Sequence, residues 1–237
     1  SMVTHNGAAA VNARVRPTAE VGSTGLRRFG GHVDAEYDPN LKGPRGAAKW
    51  DEMRRNDPDV GAVLLAIRMS LLSVEWAVER GGETPADEDA ALFLESCLGD
   101  MATPWKAGVL ADATTMFPFG WAYLEAVYKL RQGETPRTSG AASSKFDDGR
   151  VGWRKVVLRA QASLDRWEFG PNGEILGMWQ RLQTGPSVYI PLEKAVLFRT
   201  DRENDNPEGI SLLRNAYRPY YIKTNVEEIE VIGAERD

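Results

Sequence analysis

Read for periodicity, the first half of the chain is mostly helical and most of the second half is strand. Tyr37-Asp38-Pro39-Asn40 marks a turn, and after a Gly/Pro linker the pattern predicts a helix over about 47–55. Asp57-Pro58 supplies an N-cap with Pro at the first helical position, and Val60, Val63, Leu64, Ile67 and Leu71 then recur at helical spacing. From Val60 to Leu72 only Arg68 and Ser70 interrupt the apolar run, which reads as a buried helix. Ser73-Val74-Glu75-Trp76-Ala77-Val78-Glu79 alternates apolar and polar residues, predicting a half-buried strand that ends at Gly81-Gly82. Thr84-Pro85 opens a helix carrying Ala90, Leu94, Cys97 and Leu98, with Gly99 as its stop. Thr103-Pro104 opens another, with Val109, Leu110, Ala113 and Met116 inward and Pro118 closing it.

From Trp121 the period changes to two, and Tyr123, Glu125, Val127 and Lys129 oppose Ala122, Leu124, Ala126 and Tyr128. A Gly/Ser/Thr-rich loop over about 131–148 follows. Strands are predicted at about 153–161, 164–169, 174–183 and 187–190, with Pro171-Asn172-Gly173 as a hairpin turn. Trp153, Trp167 and Trp179 are expected in one sheet, and most of the tryptophans, including Trp50, Trp76, Trp105 and Trp121, in the core. The last stretch returns to helical spacing. Ile222, Val226, Ile229 and Gly233 are spaced four, three and four, giving one narrow apolar stripe with Glu227, Glu228 and Glu230 nearby. Such a stripe is too narrow for a buried core helix and must lie on something. Pro219 removes one helical hydrogen bond, so a break or kink is expected near Arg218. The uncapped end at Arg236-Asp237 gives the expectation of a longer parent protein, and Ser1-Met2 that of a tag remnant.

Length and composition narrow the function classes. The 237 residues, 42% apolar and 27% charged, suffice for one large domain or two modest ones. No run of about 18 apolar residues occurs, so no membrane span is expected. The net charge of -5 argues against a broad basic face for nucleic acid. Residues 1–35, with Arg14, Arg16, Arg27 and Arg28 and no sustained period, read as a flexible basic arm. Both histidines, His5 and His32, fall in that arm, where no catalytic geometry can be held. Cys97, the single cysteine, excludes an intramolecular disulfide, has no candidate base near it in sequence and reads as core. Gly22-Ser23-Thr24-Gly25 and the stretch from Gly140 to Lys145 lack the Gly-Lys-Ser/Thr step of a phosphate loop.

The acidic loop from Asp201 to Gly209 offers oxygen donors for a hard cation. The EF-hand count fails, with Asn206 where Gly belongs and Leu212 where the bidentate acid belongs, and a solvated connector is the preferred reading. A nuclease built on Asp201, Asp205 and Glu208 needs a further acid or base that nothing in the chain supplies. The expectation is no catalytic residue, no metal, no cofactor and no enzyme.

Several segments in order carry a resemblance. Ile190-Pro191-Leu192-Glu193-Lys194-Ala195-Val196-Leu197-Phe198-Arg199 leads through a polar loop to Gly209-Ile210-Ser211-Leu212-Leu213-Arg214 and then a helical run with a Tyr/Pro/Tyr entry. Upstream stand Trp50-Asp51-Glu52-Met53-Arg54-Arg55-Asn56-Asp57-Pro58 with Ser73-Val74-Glu75-Trp76, then Phe119-Gly120-Trp121-Ala122-Tyr123-Leu124-Glu125, and Leu164-Asp165-Arg166-Trp167-Glu168-Phe169 with Asn172-Gly173. This series resembles the portal proteins, or head-to-tail connectors, of tailed bacteriophages over about residues 36–237. The resemblance implies an α+β fold, a wing region of helices and an antiparallel sheet followed by a long amphipathic helix. Its parts are residues 36–130 (helical wing), 131–205 (sheet wing) and 206–237 (start of a channel-proximal helical region). It implies a homo-oligomeric ring of about twelve copies, closed by a heterologous interface, at one capsid vertex. Double-stranded DNA is packaged, retained and ejected through such a ring, whose partners are the terminase motor and the capsid and head-completion or tail adaptor proteins, with no membrane. The place is the virion, with assembly in the host cytoplasm. Ile222, Val226 and Ile229 are then the candidates for packing on neighbouring subunits, and Arg218 and Lys223 those for contact with DNA in the channel. The alternative is a protein-binding adaptor or domesticated portal-like module without a DNA translocation role.

Overall fold

The computed structural model describes residues 22–134 and 143–234. Helix α1 (Gly43–Asn56) forms because Gly46, Trp50 and Met53 lie at helical spacing and bury together. Asp57 ends it and caps α2 (Pro58–Ser73), its carboxylate accepting from the Asp59 and Val60 N–H groups at 2.9 and 3.1 Å. Helix α3 (Pro85–Asp100) starts with a reciprocal capping box between Thr84 and Asp87. A π-helical turn (Trp105–Leu110), α4 (Ala111–Ala113) and α5 (Met116–Phe119) follow, and Gly120 at φ +89° ends the run.

The long strand β3 (Trp121–Leu130) organises the molecule. With the hairpin strands β1 (Arg28–Phe29) and β2 (His32–Val33) counted first, the rest are β4 (Val151–Arg159), β5 (Leu164–Phe169), β6 (Ile175–Gln180), β7 (Val188–Pro191) and β8 (Ala195–Arg199). They form two antiparallel three-stranded sheets, ordered β4-β3-β8 and β5-β6-β7. Strand β3 is buried on both faces. Ala122, Leu124 and Ala126 pack with Met101, Val109 and Val156, while Trp121 and Tyr123 pack with Trp167, Met178 and Ile190. Trp167 meets Trp121 edge-on at 5.1 Å, a geometry worth about 0.5–1.5 kcal/mol beyond its area burial. A third cluster joins Leu41, Trp50, Met53 and Leu213. Helix α6 (Tyr217–Ala234) closes the chain.

The α+β class is as expected, and several local expectations are corrected. Trp153 lies in one sheet and Trp167 and Trp179 in the other, because residues 160–163 turn the chain off the first sheet between β4 and β5. Helix α2 has no buried residue, since only its Val60 and Leu64 side packs on α1. Residues 74–79 form no strand, because no other strand pairs with them among the described residues. The helix expected after Thr103 is divided, and Pro118 lies inside α5 with Gly120 as the true stop. Trp76 is 52% exposed, whereas Trp50, Trp121 and Trp167 are buried. His32 belongs to a hairpin whose Gly31 carbonyl accepts from the Trp167 N–H at 2.9 Å, while residues 1–21, including His5, lie outside the described residues.

Candidate functional site

The segment leading into α6 is held by groups that look ordinary in sequence. Gly209 at φ +53° lies so close to Gly120 that a Cβ would sit 2.3 Å from the Gly120 carbonyl oxygen. Thr200 donates to that same carbonyl from its N–H at 3.0 Å and its hydroxyl at 3.1 Å. Ser211 Oγ donates to Pro118 O at 2.6 Å and accepts from the Leu213 N–H at 3.0 Å, and the Leu212 N–H bonds Phe117 O at 2.9 Å. Leu213 fills the cluster around Trp50. Arg214 grips Glu36 with both arms of its guanidinium, at 2.6 and 2.9 Å, and lies over Tyr37. Burial works against ionising Glu36, yet Arg214 and two backbone N–H groups hold its carboxyl below the usual range. The run Gly209-Ile210-Ser211-Leu212-Leu213-Arg214 is thus a latch between the two halves of the chain.

Helix α6 rises from this latch. Pro219 falls in its first turn, where no intrahelical partner for an N–H is needed, so the break expected near Arg218 is the helix start itself. Tyr217 meets Trp50 edge-on at 6.2 Å, and the Tyr220 hydroxyl bonds Glu52 at 3.1 Å. Lys223 reaches Asp57 at 3.1 Å and Asp59 at 3.7 Å. The Val60 N–H and Lys223 lower Asp57 against the effect of burial, and Asp57 in turn raises Lys223. The side of α6 bearing Tyr220 and Lys223 therefore packs on α1 and the start of α2. Ile222, Val226 and Ile229 lie on another side and are 52, 47 and 69% exposed. Arg218 is exposed and makes no ion pair among the described residues.

The acids of the loop before the latch do not converge. Asp205 receives Arg199 at 2.8 Å, and Glu208 accepts from Trp167 Nε1 at 3.1 Å. Among the described residues no group of three His, Cys, Asp or Glu side chains could hold a metal ion. Glu208 borders a cavity of about 570 Å³ with Glu36, Trp50, Gln161 and Arg214. Burial pushes its carboxyl up to about 7, opposed only by the Trp167 bond. Cys97 is buried, with Arg131 Nη1 at 3.8 Å from its sulfur.

A second polar constellation has no signal in the sequence. Lys129 and Asp100 form an ion pair at 2.9 Å with side chains 4 and 3% exposed. Burial disfavours the Asp100 carboxylate, but the Lys145 N–H, the Ser144 hydroxyl and Lys129 hold its pKa below the ordinary value. Lys129 also donates to the Asp100 and Ser143 carbonyls, and Arg131 bonds Asp148 at 2.9 Å beneath Phe146. These contacts clamp residues 143–148 onto α3. No distance in sequence reports them, since α3, β3 and the loop meet only in the fold.

No curated protein matches the chain. A family model described as the portal protein of Mu bacteriophage matches residues 47–236, a span running from α1 through both sheets and the latch to α6. The chain belongs to that family of bacteriophage portal proteins.

Proposed function

We propose that this portal protein is a non-enzymatic structural subunit, about twelve copies of which form a closed ring at one capsid vertex, and that double-stranded DNA is packaged, retained and ejected through it. The observation that carries the reading is the exposed stripe of Ile222, Val226 and Ile229 on a helix anchored to its own chain at Tyr217, Tyr220 and Lys223 in its first two turns, with Tyr221, Val231 and Ile232 exposed on its other sides as well. An apolar stripe left in water costs free energy that packing against a neighbouring subunit recovers. A ring needs such a face on every copy, complementary to a different face of the next. The terminase motor, the capsid and the head-completion or tail adaptor proteins are the proposed partners, in the virion and in the host cytoplasm during assembly. Of the two candidate DNA contacts, Arg218 is the better placed, because the Lys223 ammonium is engaged by Asp57 and Asp59. The sparse cations on α6 suit a channel wall, since many phosphate contacts would brake a moving duplex.

Native mass spectrometry over a concentration series tests the reading, with Val226→Asp as the variant. The wild-type chain is expected to form closed rings and the variant to remain monomeric, with an unchanged melting temperature because the site is exposed in the monomer. A wild-type monomer at every concentration refutes the ring and favours the adaptor alternative.

A further inference from the structure

Residues 74–79 carry the alternation of a half-buried strand and pair with no other strand among the described residues. Val74 is extended, with φ −65° and ψ 137°. Apart from the Val74 N–H, which bonds Leu71 O at 3.4 Å, these residues make no backbone hydrogen bond among the described residues. Val74 and Trp76 are 50 and 52% exposed, and Trp76 rests edge-on against Trp105 at 6.1 Å. One side chain is therefore anchored while the backbone polar groups stand open.

Helix α2 runs straight into this segment and shares its mismatch. Its only polar side chains are Asp59, Arg68, Ser70 and Ser73, yet none of its residues is buried. Val60 and Leu64 face the α1 cluster, whereas Leu65 and Met69 on the far side are 58 and 60% exposed. A helix apolar all round belongs in an interior. The same chain offers unpaired sheet edges elsewhere. The Ala102 N–H covers part of β4 at 2.8 Å and the Gly31 carbonyl part of β5. Strands β7 and β8 each pair with one neighbour; beyond that ladder the Ile190 carbonyl of β7 accepts from the Tyr123 hydroxyl at 2.8 Å and the Ala195 N–H of β8 bonds Leu192 O, and no other strand pairs with their outer edges among the described residues. Val188 and Val196 on those strands are 45 and 49% exposed. An open edge is a template for another extended segment.

We propose that residues 74–79 become a strand only on assembly, adding to the free β8 edge of a second copy of this chain, with the far side of α2 buried in the same contact. The inference rests on the ring reading. A second copy is the occupant because each copy carries both an unpaired extended segment and a β8 edge with no strand beside it, two unlike surfaces that complement each other head to tail, as a closing ring requires. Strand β8 (Ala195–Arg199), five residues against four in β7, is the closer match to six residues of added strand. The alternation of residues 74–79 then has its cause in the oligomer.

Hydrogen exchange on the purified chain, read alongside native mass spectrometry, tests this. The amides of residues 75–79 are expected to exchange freely in the monomer and at least about tenfold more slowly in the ring. Rings in which α6 gains protection and residues 75–79 do not would overturn the inference and leave the ring standing, whereas a monomer at all concentrations would overturn both. Ala77→Pro and Val78→Pro supply a second readout, because neighbouring amides in a strand point to opposite edges. One of the two is expected to raise the concentration for half-assembly by about tenfold or more without lowering the monomer melting temperature. If neither does, no strand is added there.

Discussion

Replacing Glu208 by glutamine is expected to stabilise the protein, and only at neutral and alkaline pH. The carboxyl is pushed from 4.5 up to about 7 because the fold takes it out of water and returns one hydrogen bond, from Trp167 Nε1. Below pH 4.5 both the folded and unfolded chains hold the proton, so Glu208 contributes no pH dependence. Between 4.5 and about 7 the unfolded chain releases it and the folded chain keeps it, so stability falls as pH rises through that window and levels off above it. The full shift corresponds to about 3 kcal/mol, an upper bound because the residue is only part-buried. In Glu208→Gln the side-chain carbonyl can still accept the indole N–H, so the variant removes the charge without orphaning Trp167. Thermal melts of both proteins from pH 4.5 to 8 isolate the effect as a difference, since the carboxyls common to both, including Asp112, which burial raises, cancel between them. A shift of about 2–4 °C per kcal/mol gives a variant melting roughly 4–10 °C above wild type at pH 8, with little difference at pH 4.5. A difference independent of pH would show that Glu208 is ionised in the native state and that its burial is not as described.

Three further outcomes are expected. Gly120→Ala places a Cβ 2.3 Å from Glu208 O at a backbone φ of +89°, so chemical denaturation is expected to show a loss of more than about 2 kcal/mol. Lys129→Met leaves Asp100 as a buried, unpaired carboxylate and is expected to cost about 3–5 kcal/mol at pH 7; the double variant Lys129→Met/Asp100→Leu is expected to cost clearly less than the two single changes added, as a double-mutant cycle would record. Arg214→Lys loses one of the two bonds to Glu36 and the stacking on Tyr37, and is expected to lower stability by about 1–2 kcal/mol in urea melts.

What could be read along the chain was whatever local chemistry dictates. Asp57-Pro58 and Thr84-Pro85 mark the starts of α2 and α3 because a capping side chain and a proline act within one turn. The period of two from Trp121 gives β3 because alternate side chains necessarily face opposite sides of a strand. The ordered series of segments pointed to the portal family, and the stripe of Ile222, Val226 and Ile229 pointed to a helix that its own chain does not cover. Periodicity records that a face is apolar and says nothing of what covers it. That is why α2 reads as buried and residues 74–79 as a half-buried strand, while α2 proves largely exposed and residues 74–79 exposed and unpaired among the described residues, and why three tryptophans assigned to one sheet divide between two. Only the tertiary structure could bring Gly120 against Gly209, Ser211 against Pro118 and Arg214 against Glu36, or bury Lys129 with Asp100 and leave Glu208 beside a single donor. Each depends on segments far apart in the chain meeting at distances of a few ångströms, and the free energy of such a meeting belongs to no stretch of sequence alone.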